Sequence, residues 1–239
     1  MASTPEISAP NKLRIAELFS SIQGEGKWLG TPSVFVRVSG CNLRCGWCDT
    51  PYASWEPEGP VLSLDEIVTR VCDSGHQHVV ITGGEPMLFD TVVPLAEELH
   101  RLGKTITIET AGTVFREVPC DLMSISPKLS GSAPPEESGW RERHEKLRLN
   151  LEVLSALIGR YPHQLKFVVN PEVGDEMAEI LELVSELGES VDNVMVMAEG
   201  RDAETLHRRE RLLAPICMKY GFRLTPRYQI DLFGDTRGT

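Results

Sequence analysis

What this chain lacks narrows it first. No apolar run reaches the roughly 18 residues that a membrane-spanning helix requires. The opening MASTPEISAP has no basic stretch leading into an apolar one, so it does not read as a secretory leader. Residues 1–10 read as a loose tail. Positive charge is scarce: Lys+Arg 24 against Asp+Glu 35 leave a net charge of -11, which argues against a nucleic-acid surface. There is no internal repeat and no coiled-coil heptad. His76, His78, His100, His144, His163 and His207 show no metal-ligand spacing. These absences leave a small-molecule enzyme of the reducing cytoplasm, where structural disulfides are rare.

Against that background the cysteines stand out. Of six, three fall within CNLRCGWC at 41–48, spaced C-x3-C-x2-C, and Asp49-Thr50 follow at once. Three thiolates on one short loop suit a soft metal or an iron–sulfur cluster. A structural zinc site takes four protein ligands, and no local C-x2-C or H-x3-H partner supplies the fourth. Cys72, Cys120 and Cys217 are isolated and read as small buried or helical residues.

With 239 residues, 41% hydrophobic and 25% charged, the chain is long enough for one sizeable α/β core. Strands are expected at 33–39, 78–82, 105–109, 122–126, 165–169 and 193–197. Helices are expected at 63–74, 91–102, 141–158, 173–187 and 202–220. The first helix carries a capping-box pattern, Ser63 with Glu66 three positions on. Segment 127–140, PKLSGSAPPEESGW, reads as a mobile loop and a candidate cover for the site. Alternating strands and helices imply a parallel sheet. A closed (β/α)8 barrel needs about 250 residues, so a partial, TIM-like barrel is expected over residues 1–239. In such sheets active groups gather at the C-terminal ends of the strands. By that rule the cysteine loop, Thr82-Gly83-Gly84-Glu85, Glu109 and Ser126 point to one rim.

The cysteine spacing, with Trp47 before the last cysteine, resembles the radical S-adenosylmethionine (SAM) superfamily. The resemblance implies a [4Fe-4S] cluster on Cys41, Cys45 and Cys48, with the fourth iron left for SAM. One electron then cleaves the sulfonium and releases a 5′-deoxyadenosyl radical. Three cysteines instead of four follow from that arrangement. More narrowly, residues 18–50, LFSSIQGEGKWLGTPSVFVRVSGCNLRCGWCDT, resemble the 7-carboxy-7-deazaguanine synthase family. The matching features are Ser-x-Gln-Gly-Glu-Gly, Gly-x-Pro, Phe-x-Arg, the cysteine motif and the trailing Asp-Thr. TGGEP at 82–86, ETAG at 109–112 and SPK at 126–128 also match.

That resemblance implies a radical lyase that contracts 6-carboxy-5,6,7,8-tetrahydropterin to 7-carboxy-7-deazaguanine with loss of ammonia. The route leads to deazapurines such as queuosine, with SAM regenerated and Mg2+ assisting. The implied substrate residues are Ile22, Gln23, Gly24, Glu25, Arg37 and Thr82. Glu25 would accept from ring N–H groups, and the planar fork of Arg37 would take the substrate carboxylate. An ordinary turn at 22–25 and a surface salt bridge at Arg37 are the plainer alternatives. Trp47, Asp49, Gly84, Glu85, Glu109, Ser126, Pro127 and Lys128 are the implied SAM residues, Glu85 by accepting from the SAM ammonium. Thr50 is the implied Mg2+ ligand; a helix cap is its plainer reading. A flavodoxin or ferredoxin donor and a homodimer are implied as well. In LTPRYQIDLFGDTRGT no role is carried onto Arg227 or Gln229.

Two other readings compete. A glycyl-radical activase shares the cysteine motif but does not need Gln-Gly-Glu-Gly with Arg37. A non-enzymatic zinc module predicts a colourless protein and leaves GGEP and SPK unexplained.

Overall fold

The computed structural model describes residues 11–174 and 176–239; the tail expected at 1–10 lies outside the described residues. Nine strands form one sheet in the order β3-β1-β2-β4-β5-β6-β7-β8-β9. They are β1 (Lys12–Ile22), β2 (Pro32–Val38), β3 (Val61–Ser63), β4 (His78–Gly83), β5 (Thr105–Thr110), β6 (Leu122–Ile125), β7 (His163–Val169), β8 (Val194–Ala198) and β9 (Arg223–Leu224). From β2 through β4 to β9 every pairing is parallel, whereas β1 pairs antiparallel with both β2 and β3. β1 alone runs against the other strands, and the sheet does not close: the fold is an α/β partial barrel, as expected.

Apart from the short, exposed β9, the parallel strands are largely buried on both faces and are therefore nearly continuous apolar runs. In β4 and β8 the run is His78-Val79-Val80-Ile81-Thr82 and Val194-Met195-Val196-Met197-Ala198, all buried. Eight helices accompany them: α1 (Pro51–Ser54), α2 (Leu64–Asp73), α3 (Val92–Arg101), α4 (Arg141–Leu147), α5 (Leu151–Arg160), α6 (Glu176–Glu186), α7 (Ala203–Tyr220) and α8 (Tyr228–Phe233). α2 starts on the expected capping box: the Ser63 hydroxyl accepts from Glu66 N, and the Glu66 carboxylate accepts from Ser63 N. α3 buries Val92, Leu95, Ala96 and Leu99, one helical face turned to the sheet. α7 is capped by the Asp202 side chain and ends at Gly221, whose φ of 76° suits the left-handed turn.

The structure corrects the expected element list in several places. Gln23 and Gly24 do not precede the first strand; they follow β1, the longest strand. Its period-2 alternation is broken by a bulge between Ile15 and Glu17, which scrambles the inside–outside pattern. The helix expected at 141–158 is two helices, because Asn150 leaves helical geometry (φ -132°, ψ 98°) and its side chain caps α5 by accepting from Val153 N. β3, β9, α1 and α8 are too short for periodicity to reveal. Segment 127–140 carries two 3-10 turns, Ser130–Ser132 and Glu136–Ser138. It is tied to α6 by Ser130, whose N and Oγ donate to Glu179 at 2.9 and 2.7 Å.

Candidate active site

β2 delivers the chain to the rim and Gly40 turns it, with φ 125° and its N–H donating to Ala53 O at 2.7 Å. The loop that follows carries Cys41, Cys45 and Cys48, all free thiols, packed with Leu43 and Ala111. Arg44 braces the loop: its Nη1 donates to the carbonyls of Cys41 and Leu43 at 2.8 and 2.7 Å. The same guanidinium lies 4.3 Å from the Trp140 ring centroid. The Arg44 amide donates to Nδ1 of the fully buried His144 at 3.2 Å, which leaves the His144 Nε2 proton for Ser132 Oγ at 2.9 Å. Gly46 N donates to Ser132 O at 3.0 Å, so segment 127–140 is fastened to the cysteine loop as well. Around the sulfurs, Leu43 N donates to Cys41 Sγ at 3.4 Å and the Ser54 hydroxyl lies 3.1 Å from Cys48 Sγ.

Burial pushes the Cys41 thiol up to about 12, with the Glu85 carboxylate adding to the effect. Burial likewise pushes Cys45 up to about 11 against the pull of Lys128. Thiolates in this loop need a positive centre in place of the proton, which is what iron supplies. Among the described residues no three His, Cys, Asp or Glu side chains converge as a single metal ion would require. Three thiols on one loop are one ligand short of a structural zinc site and are the donor set of an iron–sulfur cluster.

The strand-end loops explain their glycines differently from the expectation of ligand contact. A Cβ on Gly83 would stand 2.0 Å from Val38 O, and one on Gly84 would stand 2.2 Å from Gly40 O and 2.6 Å from Ala53 O. These glycines admit neighbouring backbone, and Gly84 still reaches the cavity. Glu85 meets protein donors. Its carboxylate is fully buried and takes Thr110 Oγ1 at 2.8 and 2.9 Å, Ala111 N at 2.8 Å and Met87 N at 3.0 Å. Burial raises its pKa despite these donors. It ties the β4 and β5 ends together.

One cavity spans the rim. It encloses about 1250 Å3 with its open mouth included, room for small molecules in number and far beyond one ion. Of the predicted site residues, Glu85 and Pro127 alone fail to line it; Pro127 is buried between Ser126 and Lys128. Ile22, Thr50 and Trp47 line it, as do Ser126 and Lys128. Lys128 Nζ donates to Ser126 Oγ at 2.7 Å and to its carbonyl at 2.9 Å, and stands 5.7 Å from the Trp47 ring centroid. Thr50 is the N-cap residue of α1 but makes no side-chain cap bond. Arg37 lines the cavity while its Nε donates to Glu17 at 2.8 Å, the salt bridge of the plainer reading. Phe19 and Phe35 stack beside it with centroids 5.1 Å apart.

The floor is a chain of charges. Thr82 Oγ1 donates to Glu109 Oε2 at 2.8 Å, and Gln23 Nε2 lies 3.4 Å from Glu109 Oε1. Lys166 Nζ sits 3.9 Å from Glu109 and bonds Glu25. Glu25 also accepts from Gln229 Nε2 at 2.8 Å and Arg227 Nε at 3.3 Å, and Arg227 Nη2 continues to Asp49. Burial would raise Glu25, but Lys166 and Arg227 hold it down at about 2. Burial likewise opposes, and Arg227 wins, at Asp49, whose pKa is lowered. Sequence reasoning missed Lys166 and left Arg227 and Gln229 without a role. For Lys166 the signal was present: a lone ammonium inside the apolar run of a strand buried on both faces.

Residues 35–128 match the model of the radical SAM superfamily. The chain is 44% identical to a 7-carboxy-7-deazaguanine synthase of Halobacterium salinarum, across 95% of this chain and 93% of that protein. It is 43% identical to one of Rhodopirellula baltica, across 97% and 91%. Its fold is similar to that of QueE from Escherichia coli, with a TM-score of 0.63 and 24% identity over 90% of this chain and 93% of that chain.

Proposed function

The chain belongs to the 7-carboxy-7-deazaguanine synthase family of radical SAM lyases, and on that premise we propose how its cavity performs the family's ring contraction. The reaction takes 6-carboxy-5,6,7,8-tetrahydropterin to 7-carboxy-7-deazaguanine with loss of ammonia. The observation that carries the reading is the convergence of the cysteine loop and the Glu25 floor on one cavity. Family membership leaves no feature that favours a glycyl-radical activase or a zinc module.

Cys41, Cys45 and Cys48 hold the [4Fe-4S] cluster. When bound, the cluster and SAM supply the one-electron chemistry that starts the reaction. Ser126, Lys128, Trp47, Asp49 and the backbone at Gly84 form the SAM side of the cavity. Glu109, hydrogen-bonded to Thr82, stands between the two sides. Gln23, Glu25, Thr82 and the backbone at Ile22 and Gly24 read the pterin edge. Arg37, steadied by Glu17 at Nε, presents its remaining N–H groups to the substrate carboxylate. Thr50, free of a capping bond, offers its hydroxyl to Mg2+.

The remaining parts of the reading are a single radical SAM domain working as a homodimer in the cytoplasm, reduced by a flavodoxin or ferredoxin. No helix among the described residues is long and apolar enough to cross a membrane.

Anaerobic turnover tests the reading. The protein is reconstituted with iron and sulfide and given SAM, dithionite, Mg2+ and 6-carboxytetrahydropterin. 7-Carboxy-7-deazaguanine, lost in Cys45→Ala, supports it. Release of 5′-deoxyadenosine without that product overturns the substrate.

A further inference from the structure

Lys166 is a buried cation in the middle of β7, 5% exposed, and its side chain lines the cavity. Its one recorded hydrogen bond among the described residues goes to Glu25, and Glu109 at 3.9 Å attracts it without bonding it. An ammonium carries three donors. A group so thoroughly withdrawn from water, with donors to spare, is costly unless a ligand supplies an acceptor.

The neighbour makes the ligand's chemistry specific. Glu25 is held ionised and is therefore an acceptor only. Its carboxylate is positioned from the other side by Gln229 and Arg227. Lys166 and Glu25 thus present a fixed donor and a fixed acceptor in hydrogen-bond contact, side by side at one cavity wall. The complement is an acceptor beside a donor on adjacent atoms. A lactam edge, C=O next to N–H, provides that pattern. An amidine edge, ring nitrogen next to NH2, turns its amino donor toward the ammonium.

Resting on the pterin reading above, we propose that Lys166 is a specificity-determining residue. It donates to the ring carbonyl while Glu25 accepts from the adjacent N–H, so 4-oxo pteridines are admitted and 4-amino pteridines refused. Refusal comes from an unpaired donor facing a buried cation.

The test compares 6-carboxytetrahydropterin with its 4-amino counterpart, by turnover and by competitive inhibition, in the wild type, Lys166→Met and Lys166→Arg. In the wild type the 4-oxo compound is preferred on the order of 10- to 100-fold, as expected for one hydrogen bond from a charged donor. Lys166→Met raises KM for the 4-oxo compound and brings the preference to within a few-fold. Lys166→Arg keeps most of it. SAM binding and iron content, which draw on the other side of the cavity, stay near wild type. A Lys166→Met protein that weakens both compounds equally, or keeps the preference, overturns the assignment. So does a wild type that turns over the 4-oxo compound but binds the two alike, whatever the variants do. A wild type that neither binds nor converts the 4-oxo compound overturns the pterin reading and this one together.

Discussion

Arg227 and Asp49, 178 positions apart, are joined directly by a hydrogen bond from the guanidinium to the carboxylate. Since the same guanidinium reaches Glu25, one C-terminal side chain links the pocket floor to the residue next to Cys48. Arg227→Gln leaves the largely buried Glu25 and the part-exposed Asp49 short of their cation. Unfolding free energy should fall by about 3 kcal/mol, the scale for breaking a buried pair. The Glu25 pKa should rise from about 2, which NMR titration would detect. An unchanged titration would show that Lys166 suffices alone.

Glu85→Gln separates a structural from a ligand-binding role. The amide keeps an acceptor for Met87 or Ala111 but turns donors toward groups that are donors themselves. A loss of about 1–3 kcal/mol is expected, seen as a lower melting temperature without SAM. A variant that melts like the wild type yet fails to bind SAM would assign Glu85 to direct SAM contact instead.

Two glycine substitutions should differ in kind. In Gly84→Ala the new carbon meets backbone carbonyls of Gly40 and Ala53, which cannot step aside, so soluble yield and melting temperature drop. In Gly24→Ala it meets the Gln229 side chain at 1.8 Å and its amide nitrogen at 2.7 Å. The fold should persist with the Gln229 segment displaced, and substrate KM should rise more than kcat falls. Parallel melts and steady-state kinetics decide.

His78 gives a pH dependence away from the site. It is buried between Ser33 Oγ at 2.7 Å and Thr107 Oγ1 at 2.8 Å, with the Trp28 ring edge-on at 4.5 Å. Burial lowers its pKa from 6.5 to about 4, against a weak opposing pull from Asp121. The folded state therefore holds fewer protons than the unfolded state between those values. Its contribution is complete above pH 6.5 and is lost as pH falls toward 4. Urea midpoints measured across that window should decline, and His78→Gln should flatten the decline.

How much could be read from sequence depended on distance along the chain. The cysteine loop, Gln23–Glu25 and the strand-end motifs are short local patterns, and nearly all of their residues face the cavity. The Thr110 and Ala111 partners of Glu85 could not be read, because a carboxylate beside glycines looks alike whatever it faces. Lys166 escaped, and Arg227 and Gln229 stayed without a role, because their common partner, Glu25, lies 141, 202 and 204 positions away. β1 escaped because one bulge at Ile15–Glu17 erases its alternation.

The cysteine ligands and the Glu85 lock are complete once residue 111 has been made, whereas the charged floor draws on positions 25, 166, 227 and 229. Vectorial synthesis delivers the chain in that order. The ligands for iron leave the ribosome long before the groups that neutralise Glu25. Until the Gly24 carbonyl receives the Tyr228 amide at 3.0 Å, the nascent protein can have a cluster loop but no finished substrate pocket. The charged floor is thus among the last parts of the cavity wall that synthesis supplies.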